Sequence, residues 1–174
     1  MTVTLRKFAE EDIPLKVKWI NNSANNQYLH YDLPLREEPT RAWFNRVKDL
    51  DTRLDLTILC DDVPVGVIGL LDINRKKGSA EVYLTVGEVP SKGKGIATQA
   101  FKELLRIAFS ELGLHRVMFF TETGNAPILR ISQKLGFVKE GCLRDELKNR
   151  DGEYVSRYVF SMLEKEFEAL YGNN

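Results

Sequence analysis

The stretch Val86-Gly87-Glu88-Val89-Pro90-Ser91-Lys92-Gly93-Lys94-Gly95-Ile96-Ala97-Thr98 carries an extended apolar segment through a glycine-rich turn into a helix start. Such a junction aims backbone N–H groups and a helix N-terminus at one point, an arrangement that suits a phosphate or pyrophosphate. Lys92 and Lys94 add positive charge. Neither common phosphate-binding pattern is complete, because GxxxxGK[ST] and GxGxxG both require more than Gly93-Lys94-Gly95 supplies. Taken alone, these residues also fit a plain strand-turn-helix connection.

At 174 residues the chain suits one domain with a sizeable core, expected to span residues 1–174. Lys+Arg and Asp+Glu both number 25, so no global field favours nucleic acid and any anion binding must be local. Cys60 and Cys142 are the only cysteines and lack metal-ligand or CxxC spacing, so neither a metal site nor a disulfide framework is expected. The N-terminus opens on alternating Val3 and Leu5, with no basic segment leading into an apolar one, and no apolar run has membrane-spanning length. A cytoplasmic protein without a membrane partner is the expectation.

Thr2 to Arg6 reads as a strand, and Asp12-Ile13-Pro14 as the cap of a helix running through Trp19 and Ile20. Asn21 to Asn26 stops that helix. Tyr28 to Leu35 declares no period and suits a binding loop, although its tyrosines would serve equally in packing. Pro39 to Val47 predicts a second helix. Leu54 to Cys60 and Val63 to Leu71 alternate around Asp61-Asp62 as a hairpin, and Ala80 to Gly87 extends it to a three-strand meander. Alternation puts Glu81 and Tyr83 on one side of the third strand and Val82 and Leu84 on the other. After the glycine-rich turn, Ala97, Phe101, Leu104, Leu105, Ala108 and Leu112 form a helical stripe ended by Gly113. A strand at His115 to Thr121, a helix at about Pro127 to Lys134, and strands at Val138 to Leu143 and Tyr154 to Leu163 complete the order. The last two strands join at Asn149-Arg150-Asp151-Gly152. This order predicts an α+β, three-layer α/β/α domain with a mixed, mainly antiparallel sheet.

Lys92-Gly93-Lys94-Gly95-Ile96-Ala97, Asn125 followed by Leu135-Gly136-Phe137, and Ala80-Glu81 together resemble the signatures of the GCN5-related N-acetyltransferase (GNAT) family. The similarity runs nearly the whole chain and is nearest to the branch of ribosomal-protein and spermidine acetyltransferases. Lys92 departs from the Gln or Arg usual at the first signature position. The resemblance implies acetyl-CoA as cosubstrate, its pyrophosphate on the loop amides and helix N-terminus of Lys92, Gly93, Lys94, Gly95, Ile96, Ala97 and Thr98. Its pantetheine would lie between the splayed strands beside Leu84 and Val86 and contact Asn125. A backbone donor near Val86 would stabilise oxyanion charge.

Glu81 is the candidate general base, able to take a proton from an incoming ammonium directly or through water; the alternative is a strand-end glutamate in an ion pair. Many relatives carry a tyrosine acid seven residues after Asn125, where this chain has Ser132. Ser132 is therefore the candidate donor to the CoA sulfur, with Tyr28, Tyr31 and Tyr83 as replacements. His30 is a second candidate for deprotonating an amine, or else a solvent-facing loop residue. The implied reaction is acetyl transfer to a primary amine, with a protein N-terminus, a polyamine or an amino-sugar nucleotide as acceptor. An acetyl-CoA-binding protein without turnover is the competing class. The resemblance favours a homodimer, in which Phe160 or Met162 would meet the partner if they do not finish the core.

Overall fold

A computed structural model of the chain describes residues 1–172. Its centre is a seven-stranded sheet in the order β1-β2-β3-β4-β5-β7-β6. The strands are β1 (Val3–Lys7), β2 (Leu54–Cys60), β3 (Val63–Asn74), β4 (Ser79–Val86), β5 (Arg116–Glu122), β6 (Val138–Lys148) and β7 (Tyr154–Leu163). The helices are α1 (Ile13–Asn21), α2 (Glu37–Val47), α3 (Ile96–Arg106), α4 (Ala126–Leu135) and α5 (Glu164–Tyr171). All neighbouring strands run antiparallel except β4 and β5, which are parallel. The expected three-layer architecture is present, with a mixed sheet between helices.

Strand alternation divides the core in two. Val82 and Ala80 face α3, where Phe101, Leu104, Leu105 and Ala108 are buried with Val117 and Phe119. Phe101, Phe119 and Phe137 meet edge to face, with centroids 5.1–5.7 Å apart, a preferred aromatic geometry. On the opposite face Phe8, Ile13, Trp19 and Val67 pack with Trp43, Phe44 and Tyr83 under α1 and α2. Buried Asp12 anchors the start of α1: it accepts two bonds from Arg6 at 2.7 Å, one from the Ala9 N–H at 2.9 Å and one from Thr57 Oγ1 at 2.8 Å.

Three expectations change. Strand β3 runs on to Asn74 through a bulge at Asp72, whose φ of 48° breaks the alternation. Likewise β6 continues to Lys148 past a register shift near Asp145. Helix α5 follows β7 directly, because the Leu163 N–H is capped by Glu166 Oε2 at 2.8 Å and Phe167 seats against Phe109. Leu163, Phe167 and Leu170 hold its helical spacing in the sequence. Phe160 and Met162 are 7% and 0% exposed, so both finish the core and neither offers a partner surface. No helix among the described residues is long and apolar enough to cross a membrane.

Candidate active site

The parallel pairing of β4 with β5 is confined to Ser79↔Arg116, Ala80↔Val117 and Glu81↔Met118. Beyond Glu81, β4 stays in register with β3 as far as Gly66↔Val86, while β5 follows β7. The two strands therefore open into a V. The Gly87 N–H donates to the Val65 carbonyl at 2.8 Å, and alternate residues of an antiparallel strand turn both backbone groups to the same neighbour. Thr85 and Tyr83 thus face β3, whereas Leu84 and Val86 present N–H and C=O to the gap. A cleft of about 820 Å³ occupies this gap, floored by Ile96, Phe101, Phe119 and Ile131.

Above the V, Gly93 and Gly95 have φ of 78° and 83°, left-handed values that glycine adopts without penalty. Gly95 stands just before α3, and the first amide in the helix's own ladder is that of Gln99, bonded to the Gly95 carbonyl at 3.1 Å. The amides of Ile96, Ala97 and Thr98 are left at the helix mouth, where the dipole favours an anion. The loop is fixed from below. Glu88 Oε1 accepts from Trp19 Nε1 at 2.8 Å and Lys18 Nζ at 2.9 Å, and Asn25 Nδ2 bonds the carbonyls of Trp19 and Gly87. Gly87 lies flat on Trp19, where a Cβ would come within 2.0 Å of the indole.

Of the residues expected at the site, Glu81, Leu84, Val86, Lys92, Gly93, Gly95, Ile96, Ala97, Thr98 and Asn125 line the cleft. Lys94 is exposed and does not, and Lys92 Nζ is engaged with the Ala24 carbonyl at 2.6 Å rather than free over the loop. Ser132 is not brought to the cleft. It is 2% exposed and its Oγ donates to the Leu129 carbonyl at 2.8 Å, because position 132 falls on the inward side of α4 while Ile128 and Ile131 face the gap. Tyr83 bonds Asp55 through its hydroxyl, which burial and that carboxylate keep protonated well beyond its usual range. Tyr28, like Tyr83, lines the cleft, and its hydroxyl donates to the Gly124 carbonyl at 2.9 Å.

Glu81 is half-buried. Its burial raises its pKa above the usual carboxylate value, opposed by Arg157 and reinforced by Asp72 and Glu146. Asn25, Leu29, Glu122 and Arg157 also line the cleft and were not singled out from the sequence. The alternation that placed Glu81 extends to Glu122, which shares its sheet face; Asn25 sits in an asparagine-rich run that carries no distinguishing signal.

The sequence profile of the acetyltransferase (GNAT) domain matches residues 2–138, and the chain belongs to that family. It is 33% identical over 171 residues to the SPbeta prophage-derived uncharacterized N-acetyltransferase YokL of Bacillus subtilis, covering 98% of this chain and 94% of the relative. It is 28% identical over 152 residues to the spermidine N(1)-acetyltransferase of Escherichia coli, covering 83% and 77%. The fold superposes with a TM-score of 0.87 on spermidine N-acetyltransferase from Vibrio cholerae in complex with CoA and spermine, at 22% identity and covering 95% and 97% of the chains. This protein is an N-acetyltransferase that uses acetyl-CoA.

Proposed function

We propose that residues 1–174 form one domain that acetylates a primary amine by direct attack in a ternary complex. The observation that carries this reading is the V between β4 and β5, opening under the Gly93–Gly95 loop. The loop amides and the N-terminus of α3 hold the pyrophosphate, and the free backbone edge at Leu84 and Val86 orients the pantetheine arm, with Asn125 on the opposite wall. When bound, acetyl-CoA supplies the activated acetyl group. An N–H at Leu84 or Val86 stabilises the charge that develops on the thioester oxygen.

Glu81 takes a proton from the acceptor ammonium, directly or through water; a raised pKa makes a carboxylate a better base near neutral pH. Because Ser132 is buried away from the cleft while Tyr28 lines it, we assign protonation of the leaving thiolate to Tyr28, whose hydroxyl sits at the Gly124 carbonyl, one residue of chain before Asn125.

The acceptor end suits a small aliphatic amine. Arg157 there is tied to Glu146 at 2.6 and 2.7 Å and His30 lies against Glu122, so these two cations do not favour a nucleotide-sugar phosphate at that end. Arg150, in the β6–β7 turn, bonds the carbonyl and Oδ1 of Asn26 and narrows the approach. The spermidine acetyltransferases among its relatives support a polyamine-type acceptor. Two free cysteines support a cytoplasmic location. A homodimer would use the open edge of β6 rather than Phe160 or Met162.

The test is CoA-thiol release with acetyl-CoA and a panel of spermidine, amino-sugar nucleotides and peptides with free N-termini, with product mass confirmed. Acetylated spermidine is expected. Acetylation of the peptides alone would replace the small-amine reading with a protein N-terminal one, and acetyl-CoA binding without any product would favour a non-enzymatic role.

A further inference from the structure

We propose that Glu122 is the carboxylate that recognises the acceptor ammonium and that His30 is its removable cover. This deepens the amine-acetylating reading of the cleft and rests on it. Glu122 ends β5, and from the register Glu81↔Met118 the side chains of Met118, Phe120 and Glu122 fall on the sheet face that Glu81 occupies. Had β5 stayed beside β4, Glu122 would stand opposite Thr85, between the two residues whose backbone faces the gap. Its carboxylate therefore sits on the far bank of the V, level with the Leu84 and Val86 amides, whereas Glu81 lies at the apex.

The state of this carboxylate points to a missing donor. The Glu122 side chain is 13% exposed, and its Oε1 is buried without a hydrogen-bond partner. His30 Nε2 is 3.2 Å from that oxygen but off the line of a hydrogen bond. Arg157 is the cross-strand neighbour of Glu122, yet its Nε and Nη2 donate to Glu146. Buried acceptors are rarely left so, because the desolvation cost is not returned. His30 belongs to the irregular segment between α1 and α2, outside any helix or strand. An ammonium brings three donors and a full charge where His30 brings one misaligned contact. It takes His30's place on Oε1 and is held across from the acyl group while Glu81 receives its proton.

Titration of spermidine into the full chain by calorimetry, with Glu122→Gln and His30→Ala beside wild type, tests the assignment. Glu122→Gln should weaken spermidine binding about 10- to 100-fold, the worth of one charge-assisted hydrogen bond. It should raise KM for the amine with kcat changed much less, and leave acetyl-CoA binding intact. His30→Ala should tighten spermidine binding. Spermidine binding unaffected by Glu122→Gln would overturn the proposal, as would an equal loss of acetyl-CoA and spermidine binding, which marks a structural role. Glu122-dependent spermidine binding in a protein that acetylates nothing would uphold this assignment while defeating the acetylation reading.

Discussion

The side-chain amide of Asn25 bridges the carbonyls of Trp19, at 2.9 Å, and Gly87, at 2.7 Å, and so ties the end of α1 to the end of β4. Both amide protons are used, which fixes the orientation and leaves Oδ1 buried and unpaired. Asn25→Asp keeps the shape but places a carboxylate against two carbonyl oxygens. It should lower stability by about 2 kcal/mol and raise KM for acetyl-CoA several-fold, measured by denaturant unfolding and steady-state kinetics. Gly87→Ala should act on the same joint by forcing Trp19 away.

Glu81 should set the acidic limb of the pH profile. Its folded pKa is raised, chiefly by burial, so kcat/KM should fall below a midpoint lying above the ordinary carboxylate value of 4.5. Glu81→Gln should cost about 10²-fold or more in kcat and remove that limb. The stability sign is opposite: a raised carboxylate favours the fold below its unfolded pKa, and that contribution is lost as pH rises through the folded one. At neutral pH the Gln variant should therefore unfold no more easily than wild type, separating catalysis from stability.

Ser132→Ala and Tyr28→Phe should differ. Removing the Ser132 hydroxyl, which only bonds back to Leu129, should leave kcat within about threefold, because a helix back-bond of this kind contributes little. Tyr28→Phe should lower kcat at saturating substrates by about tenfold or more if the phenol protonates the thiolate. Parallel kinetics with acetyl-CoA and the accepted amine check both.

Lys16 is 4% exposed and burial pushes its pKa down to about 8 from 10.5, with Asp55 raising it and Arg53 lowering it. The folded state then binds fewer protons between those values, so stability should climb from pH 8 to 10.5 and the penalty should be complete below 8. The ceiling is about 3 kcal/mol, of which the Trp43 ring, 3.5 Å from Nζ, returns about 1 kcal/mol. Lys16→Met should be more stable than wild type at pH 7 and lose that advantage by pH 10.5 in urea titrations.

Local chemistry was legible in the chain. The Gly93 and Gly95 positions, the meander, the Glu81/Val82 alternation and the α3 stripe each follow from neighbouring residues, since turn geometry and side-chain periodicity are short-range properties. Helix α5 was legible too, in Leu163, Phe167 and Leu170, but the strong strand before it masked the change of period. Ser132 shows the limit of motif spacing: its position in the pattern is conventional, yet the packing of α4 turns it inward, where its hydroxyl bonds back to Leu129 in the same helix.

Sequence by itself determined the fold class, the left-handed Gly93–Gly95 turn before α3 and the carboxylate at the apex of the V, because these depend on periodicity and glycine placement within short windows. Only the tertiary structure decided where β5 leaves β4, which loop closes over the gap and which side chains meet there. Those features depend on β4 following β3 while β5 follows β7, and on contacts such as Asn25 with Gly87 and His30 with Glu122, whose partners lie 62 and 92 residues apart in the chain.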